Sequence, residues 1–130
     1  MSISHTLSKK ERLCGERGIS NLFDRGHSFF LSPYKVVWIK IPESGSVPSR
    51  FAVSVSKRRF KHAVKRNLIK RRTREVFRTN KKILNTAVAV GRQVHLMVIY
   101  SSDKILPLAE LEASMIKIMQ RIAQQYAESD

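Results

Sequence analysis

Hydrophobic and polar residues fall into blocks of different period along the 130-residue chain. Ile19, Leu22 and Phe23 recur at i, i+3 and i+4, one face of a helix, and predict a short helix from about Glu16 to Arg25. Gly26 follows where a helix C-cap glycine belongs. Residues 1–8 show no periodicity and read as a loose tail. Tyr34 to Ile41 is rich in β-branched and aromatic residues and reads as a strand. Its parity puts Tyr34, Val36 and Trp38 on one face and Lys35, Val37 and Ile39 on the other. Pro42 to Ser49, with two prolines, a glycine and three serines, is a loop. Phe51 to Ser56 then alternates, Phe51, Val53 and Val55 against Ala52, Ser54 and Ser56, as a half-buried strand does. The loop length suggests an antiparallel hairpin between these two strands.

From about Lys61 to Asn80 there is no Gly or Pro, and the period is helical. Ile69, Thr73, Val76 and Phe77 gather on one side; Asn67, Lys70, Arg71, Arg74 and Arg78 gather opposite, within an arc of roughly 100°. Ile83 to Arg92 fits helix or strand equally, with Gly91 as punctuation. Val94 to Tyr100 is a third strand, apolar enough to be central. Pro107, followed by Glu110 and Glu112, marks a helix N-terminus. Leu108, Leu111, Met115, Ile118, Met119, Ile122 and Tyr126 carry the apolar stripe onward. The order α-β-β-α-β-α defines one α+β domain over residues 9–127, a split β-α-β type of sandwich with helices packed on a central sheet.

Charge changes the picture. The chain holds 25 Lys and Arg against 10 Asp and Glu, a net +15. Thirteen of those bases lie between Lys57 and Lys82 with Glu75 as the sole acid, so this fifth of the chain carries +12. A general basic bias would be spread out; this one is placed, and its natural partner is a polyanion such as nucleic acid. No run of about 18 apolar residues predicts a membrane span, and Met1 to Lys10 lacks a signal-peptide core, so a cytoplasmic protein is expected. Cys14 is the single cysteine and has no disulfide partner within the chain.

Catalytic side chains are hard to assemble from this sequence. Metal-dependent nucleases cluster carboxylates around their ions. Here the acids are scattered, and His5, His27, His62 and His95 lie far apart without metal-ligand spacing. No glycine-rich phosphate loop occurs, and Cys14 has no local base to activate it. His95 reads as a packed strand residue. The basic helix, in contrast, suits RNA: Lys and Arg neutralise phosphates, arginines add bidentate donors, and Asn67 supplies a neutral amide for a base edge or 2′-hydroxyl. Phe23, Tyr34 and Trp38 have two readings, stacking on unpaired bases or packing in the core.

The run Val53-Ser-Val-Ser-Lys57-Arg-Arg-Phe60-Lys-His-Ala-Val64-Lys-Arg66-Asn67-Leu-Ile-Lys70-Arg71-Arg-Thr-Arg74-Glu-Val-Phe77-Arg78 resembles the signature of the bacterial ribonuclease P protein family. Leu7-Ser-Lys-Lys-Glu-Arg12-Leu13 through Leu22-Phe23-Asp-Arg-Gly26-His-Ser28 looks like that family's opening helix. The resemblance spans about residues 7 to 122 and implies an accessory to a catalytic RNA that removes 5′ leaders from precursor tRNA. The chain would then have no catalytic residue and bind no metal alone, with Mg²⁺ held mainly by the RNA. The resemblance assigns Lys57, Arg66, Asn67, Lys70, Arg71, Arg74 and Arg78 to the catalytic RNA, and Arg58 and Lys61 of the same basic segment are expected to bind RNA with them. It assigns Phe23 to a cleft for the single-stranded leader, where Ile19 and the strand aromatic Tyr34 are expected to join it. It also implies a left-handed β-α-β crossover, against the usual rule.

The chain departs from that pattern at Leu68, where many members carry a base, and at Ile19, often an aromatic. Arg72-Thr73 replaces a commonly apolar pair, and Thr73 is expected to weaken the helix's core face. A structural RNA-binding protein of ribosomal-protein type is the alternative reading, and a protein-only nuclease a distant third.

Overall fold

A computed structural model describes residues 11–13, 16–42, 47–88 and 92–128. The N-terminal tail, residues 1–8, and Cys14 lie outside the described residues. The elements are α1 (Glu16–Arg25), β1 (His27–Leu31), β2 (Tyr34–Ile41), β3 (Ser49–Val55), α2 (Ala63–Asn80), α3 (Lys82–Asn85), β4 (Gln93–Tyr100) and α4 (Leu108–Glu128). The α+β sandwich is as expected, with one added strand and one added short helix. The ambiguous stretch begins inside α3, and residues 89–91 lie outside the described residues.

The sheet order is β1-β2-β4-β3. This corrects the expected hairpin between β2 and β3: β4 lies between them, antiparallel to β2 and parallel to β3. The reason is burial on both faces. Val94, Leu96, Val98 and Tyr100 of β4 are buried on one side, while Met97 packs in a second cluster on the other. A strand apolar on both faces takes the centre, and β3, with Ala52 and Ser54 on its second face, takes an edge. The hairpin partner of β2 is instead β1, in register from Leu31↔Tyr34 to His27↔Trp38. His-Ser-Phe-Phe-Leu shows no clean alternation because Phe29 enters the core while Phe30 faces outward, so its period gave no strand signal.

The two sheet faces differ. Tyr34, Val36 and Trp38 join Phe51, Leu96, Val98 and the buried stripes of α2 and α4 in the main core. Phe51 stacks on Phe77 of α2 at 4.1 Å between centroids and 10° between planes, and Trp38 Nε1 donates to Gln125 Oε1 of α4 at 3.0 Å. The opposite face carries only a small cluster: Leu13, Leu22 and Val37, flanked by Ile19, Ile39, Ala52 and Met97. Among the described residues, α1 covers part of that face and leaves the rest open. Gly26 links α1 to β1 through space more than through capping. A Cβ built on it falls 2.3 Å from Leu22 O and 2.9 Å from Trp38 O, and its N–H closes on Leu22 O at 2.8 Å.

The chain start guards the β3 edge. Leu13 N donates to Phe51 O at 2.8 Å, and Arg12 forms an isolated parallel bridge with Phe51. Lys81 Nζ meets Glu11 Oε2 at 2.5 Å and ties the same segment to the end of α2. An open strand edge is thereby covered.

Candidate nucleic-acid interface

Helix α2 forms because eighteen residues, Ala63–Asn80, run without Gly or Pro, and because one stripe buries. Ile69, Thr73, Val76 and Phe77 are its buried residues, the face the sequence predicted. Its first turn carries no acid, and His62 in the N-cap position makes no side-chain capping bond. The entry is held instead by Arg66, whose Nη1 donates to Phe60 O and Lys61 O, each at 2.8 Å. Cations at a helix N-terminus work against the helix dipole, so this end of α2 is a strongly positive surface.

Thr73 does not weaken the core. Its Oγ1 lies 2.8 Å from the hydroxyl of Tyr34, both side chains wholly buried. Burial, followed by Thr73's opposing hydrogen bond and the neighbouring Tyr100, pushes the Tyr34 hydroxyl well above its ordinary pKa, so it stays protonated. Tyr34 therefore does not line a cleft, which corrects its assignment there. Its strand parity turns it into the helix-covered face, edge-on to Tyr100. Trp38 is core by the same parity.

The bases between Lys57 and Lys82 divide into two groups that counting charges does not separate. Arg59 pairs with Asp103 at 2.8 Å, Arg72 Nη1 donates to Leu106 O at 3.1 Å, and Arg66 and Lys81 are engaged as described. Arg78 grips Glu75 with two donors, Nε to Oε2 at 3.0 Å and Nη2 to Oε1. That hydrogen bond, ahead of the opposing effect of burial and the Glu75 charge, raises the Arg78 pKa. Lys57, Arg58, Lys61, Asn67 and Arg71 are exposed and Lys70 half-exposed. Among the described residues none of these cations shares an ion pair with a carboxylate. Lys65 and Lys82 are exposed as well.

Arg74 faces the other way into a cleft of about 310 Å³ on the open side of the sheet. Arg12, Ile19, Ala52, Met97 and Arg74 are among its lining residues. Partial burial, and then the charge of Arg12, lowers the Arg74 pKa. Two guanidiniums lining one cleft, each felt by the other, favour an anion there. Sequence reasoning missed Arg12, Ala52 and Met97 as cleft residues. The signal was available: the small residues on the second face of β3 leave a hollow over the sheet. Ile19 sits in the cleft and is half-buried. Phe23, one turn further along α1, is 50% exposed. Leu68 is half-buried on α2.

His95, at the far end of the open face, donates from Nε2 to Gln93 Oε1 at 2.6 Å. Burial, and then Arg50, lowers its pKa. Among the described residues no three His, Cys, Asp or Glu side chains gather as a metal ion would require, and no helix is long and apolar enough to cross a membrane.

The fold as a whole superposes on solved proteins. The RNase P protein of Staphylococcus aureus superposes with a TM-score of 0.67 at 23% identity, covering 91% of this chain and 99% of that one. The Thermotoga maritima RNase P protein gives a TM-score of 0.68 at 22% identity, covering 85% and 96%. At these identities the likeness establishes the fold. Sequence carries the assignment further: the family model for ribonuclease P matches residues 7–123. The ribonuclease P protein component of Porphyromonas gingivalis is 39% identical over 119 residues, 90% of this chain and 86% of its own length. That of Petrotoga mobilis is 41% identical over 76 residues, 58% and 61% respectively. The chain belongs to the ribonuclease P protein component family.

Proposed function

We propose that the chain is the protein subunit of a ribonuclease P holoenzyme, binding the catalytic RNA and the 5′ leader of precursor tRNA so that the leader is removed. The observation that carries this reading is the two-sided layout: uncompensated cations on the outer arc of α2 and its entry loop, and a separate cleft on the open sheet face. Lys57, Arg58, Lys61, Asn67, Lys70 and Arg71 meet the catalytic RNA. Arg66 and Arg78 contribute less free charge, because carbonyls and Glu75 already hold them. Ile19, Phe23, Arg12 and Arg74 meet the leader, with the guanidiniums on its phosphates. Lysine and arginine cations do not ligate Mg²⁺, and Asn67 offers this surface a single neutral amide oxygen, whereas Mg²⁺ sites draw chiefly on carboxylate, phosphate and water oxygens. We therefore place the Mg²⁺ on the RNA and assign no catalytic residue to the protein, which acts in the cytoplasm with its RNA.

The test is reconstitution: protein, cognate catalytic RNA and precursor tRNA, alone and combined, at low Mg²⁺. Protein plus RNA is expected to cleave faster, or to bind precursor more tightly, than RNA alone. Cleavage by protein without RNA would overturn the accessory role. No effect on RNA cleavage or precursor affinity would favour a structural RNA-binding protein instead. Arg71→Ala should also flatten the salt dependence of RNA binding by somewhat under one unit of log–log slope, and Arg78→Ala by less.

A further inference from the structure

The open face of the sheet continues past the cleft. Strand pairing sets Phe30 of β1 opposite Lys35 of β2, Lys35 opposite Ile99 of β4, and Ile99 opposite Ser54 of β3. Alternation places this row on the same face as Val37, Ala52 and Met97, the face on which α1 packs. The row therefore adjoins the cleft floor and crosses the whole sheet. Three strand spacings carry it about 14 Å, from the β3 side to the free edge at β1. At that edge Phe30 is 59% exposed, and Lys35 beside it is exposed as well. Phe29, the next residue, is buried under Arg121, whose guanidinium lies 4.3 Å from the ring centroid. One phenylalanine of the pair holds the core, and the other stands mostly in solvent.

A single exposed apolar side chain is ordinary. This one has three further attributes. It is aromatic, it stands next to a cation in cross-strand register, and it lies on a face whose described strand residues include Lys35, Arg50 and His95 and no carboxylate. A flat ring beside an ammonium, on strands that carry cations and no carboxylate on this face, matches an unpaired nucleotide: the ring takes the base and the ammonium takes the phosphate.

We propose that Phe30 and Lys35 form a second nucleotide subsite at the β1 edge, where a base of the single-stranded leader stacks on Phe30 after the strand has crossed the cleft floor. This deepens the leader reading of the cleft and rests on it. The subsite sets how much leader the protein senses: a short leader reaches Ile19 and Phe23, and a longer one also gains Phe30.

The test measures affinity of the reconstituted holoenzyme for precursor tRNAs whose leaders lengthen one nucleotide at a time, with mature tRNA as reference. The wild type is expected to gain affinity in two stages. Phe30→Ala should remove the later stage, a loss of about 5- to 100-fold on long leaders from one lost stack. Phe23→Ala should remove the earlier stage, and Phe30→Trp should keep both. Because Phe30 is exposed, unfolding midpoints of its variants should match the wild type, and Lys35→Ala should lower the salt slope on long leaders only. The subsite is overturned if Phe30→Ala retains the later stage, or weakens mature tRNA equally. It is also overturned if Phe30→Ala changes only the sedimentation of the protein, which would make Phe30 a contact between copies of this chain. A wild type indifferent to leader length would defeat the leader reading itself, whereas loss of only the Phe23 stage would defeat the subsite alone.

Discussion

Thr73→Val deletes a hydroxyl in the middle of α2 without touching its outer, basic arc. Thr73 Oγ1 and the Tyr34 hydroxyl are 2.8 Å apart, 39 positions apart in sequence, and both side chains are fully buried. Valine keeps the shape and leaves the Tyr34 hydroxyl buried without its partner. Stranding a buried polar group costs about 1–3 kcal/mol. Tyr34→Phe is expected to cost less, about 0.5–1.5 kcal/mol, because a helical threonine can turn its hydroxyl toward a preceding backbone carbonyl. Removing both partners leaves apolar surface against apolar surface, so the double variant should lie near the wild type or between it and the single variants. The expected coupling is therefore at least about 1 kcal/mol. The assay is equilibrium urea unfolding followed by circular dichroism, with all four proteins compared at one denaturant slope. Additive losses, or a Thr73→Val protein as stable as the wild type, would refute the claim that this pair shares one buried hydrogen bond.

Gly26→Ala should destabilise by about 1–3 kcal/mol, read as a lowered thermal midpoint, because the new Cβ meets the backbone oxygens of Leu22 and Trp38 at 2.3 and 2.9 Å. His95 has a folded pKa below its ordinary value, so the unfolded chain binds the proton more readily. Stability should then fall as pH drops through about 6.5 toward 5, and His95→Gln should flatten that part of a midpoint-versus-pH curve. An unchanged slope would mean His95 stays as solvated folded as unfolded. Glu75→Gln should free Arg78 and steepen the salt dependence of binding to the catalytic RNA.

The faces of the helices were legible in the sequence. The stripe Ile69, Thr73, Val76 and Phe77 is the buried side of α2, and Leu111 through Tyr126 is that of α4. A helix declares its buried side locally, through residues three and four apart. Sheet order depends on partners far away, and the loop between β2 and β3 suggested a neighbour that β4 displaced. The Arg-Asn helix itself was legible as a basic face, yet its charges were not legible one by one. Arg66 and Arg72 are engaged by carbonyls from Phe60, Lys61 and Leu106, and only folding brings those oxygens within reach. Tyr34 shows the same limit from the other side. Its aromatic character suited a cleft, while its parity, once α4 and α2 covered that face, made it core.

The placement of β4 bears on how the protein is made. Residues 93–100 hold the middle of the sheet, so β3 has no strand neighbour in it, and β1–β2 no link to β3, until this late segment arrives. The cleft floor needs Ala52 of β3 beside Met97 of β4. A chain interrupted after α2 already bears most of its positive charge, yet lacks the β3–β4 floor of the cleft. During synthesis the basic helix is therefore complete before the cleft is, and one inserted strand supplies the second.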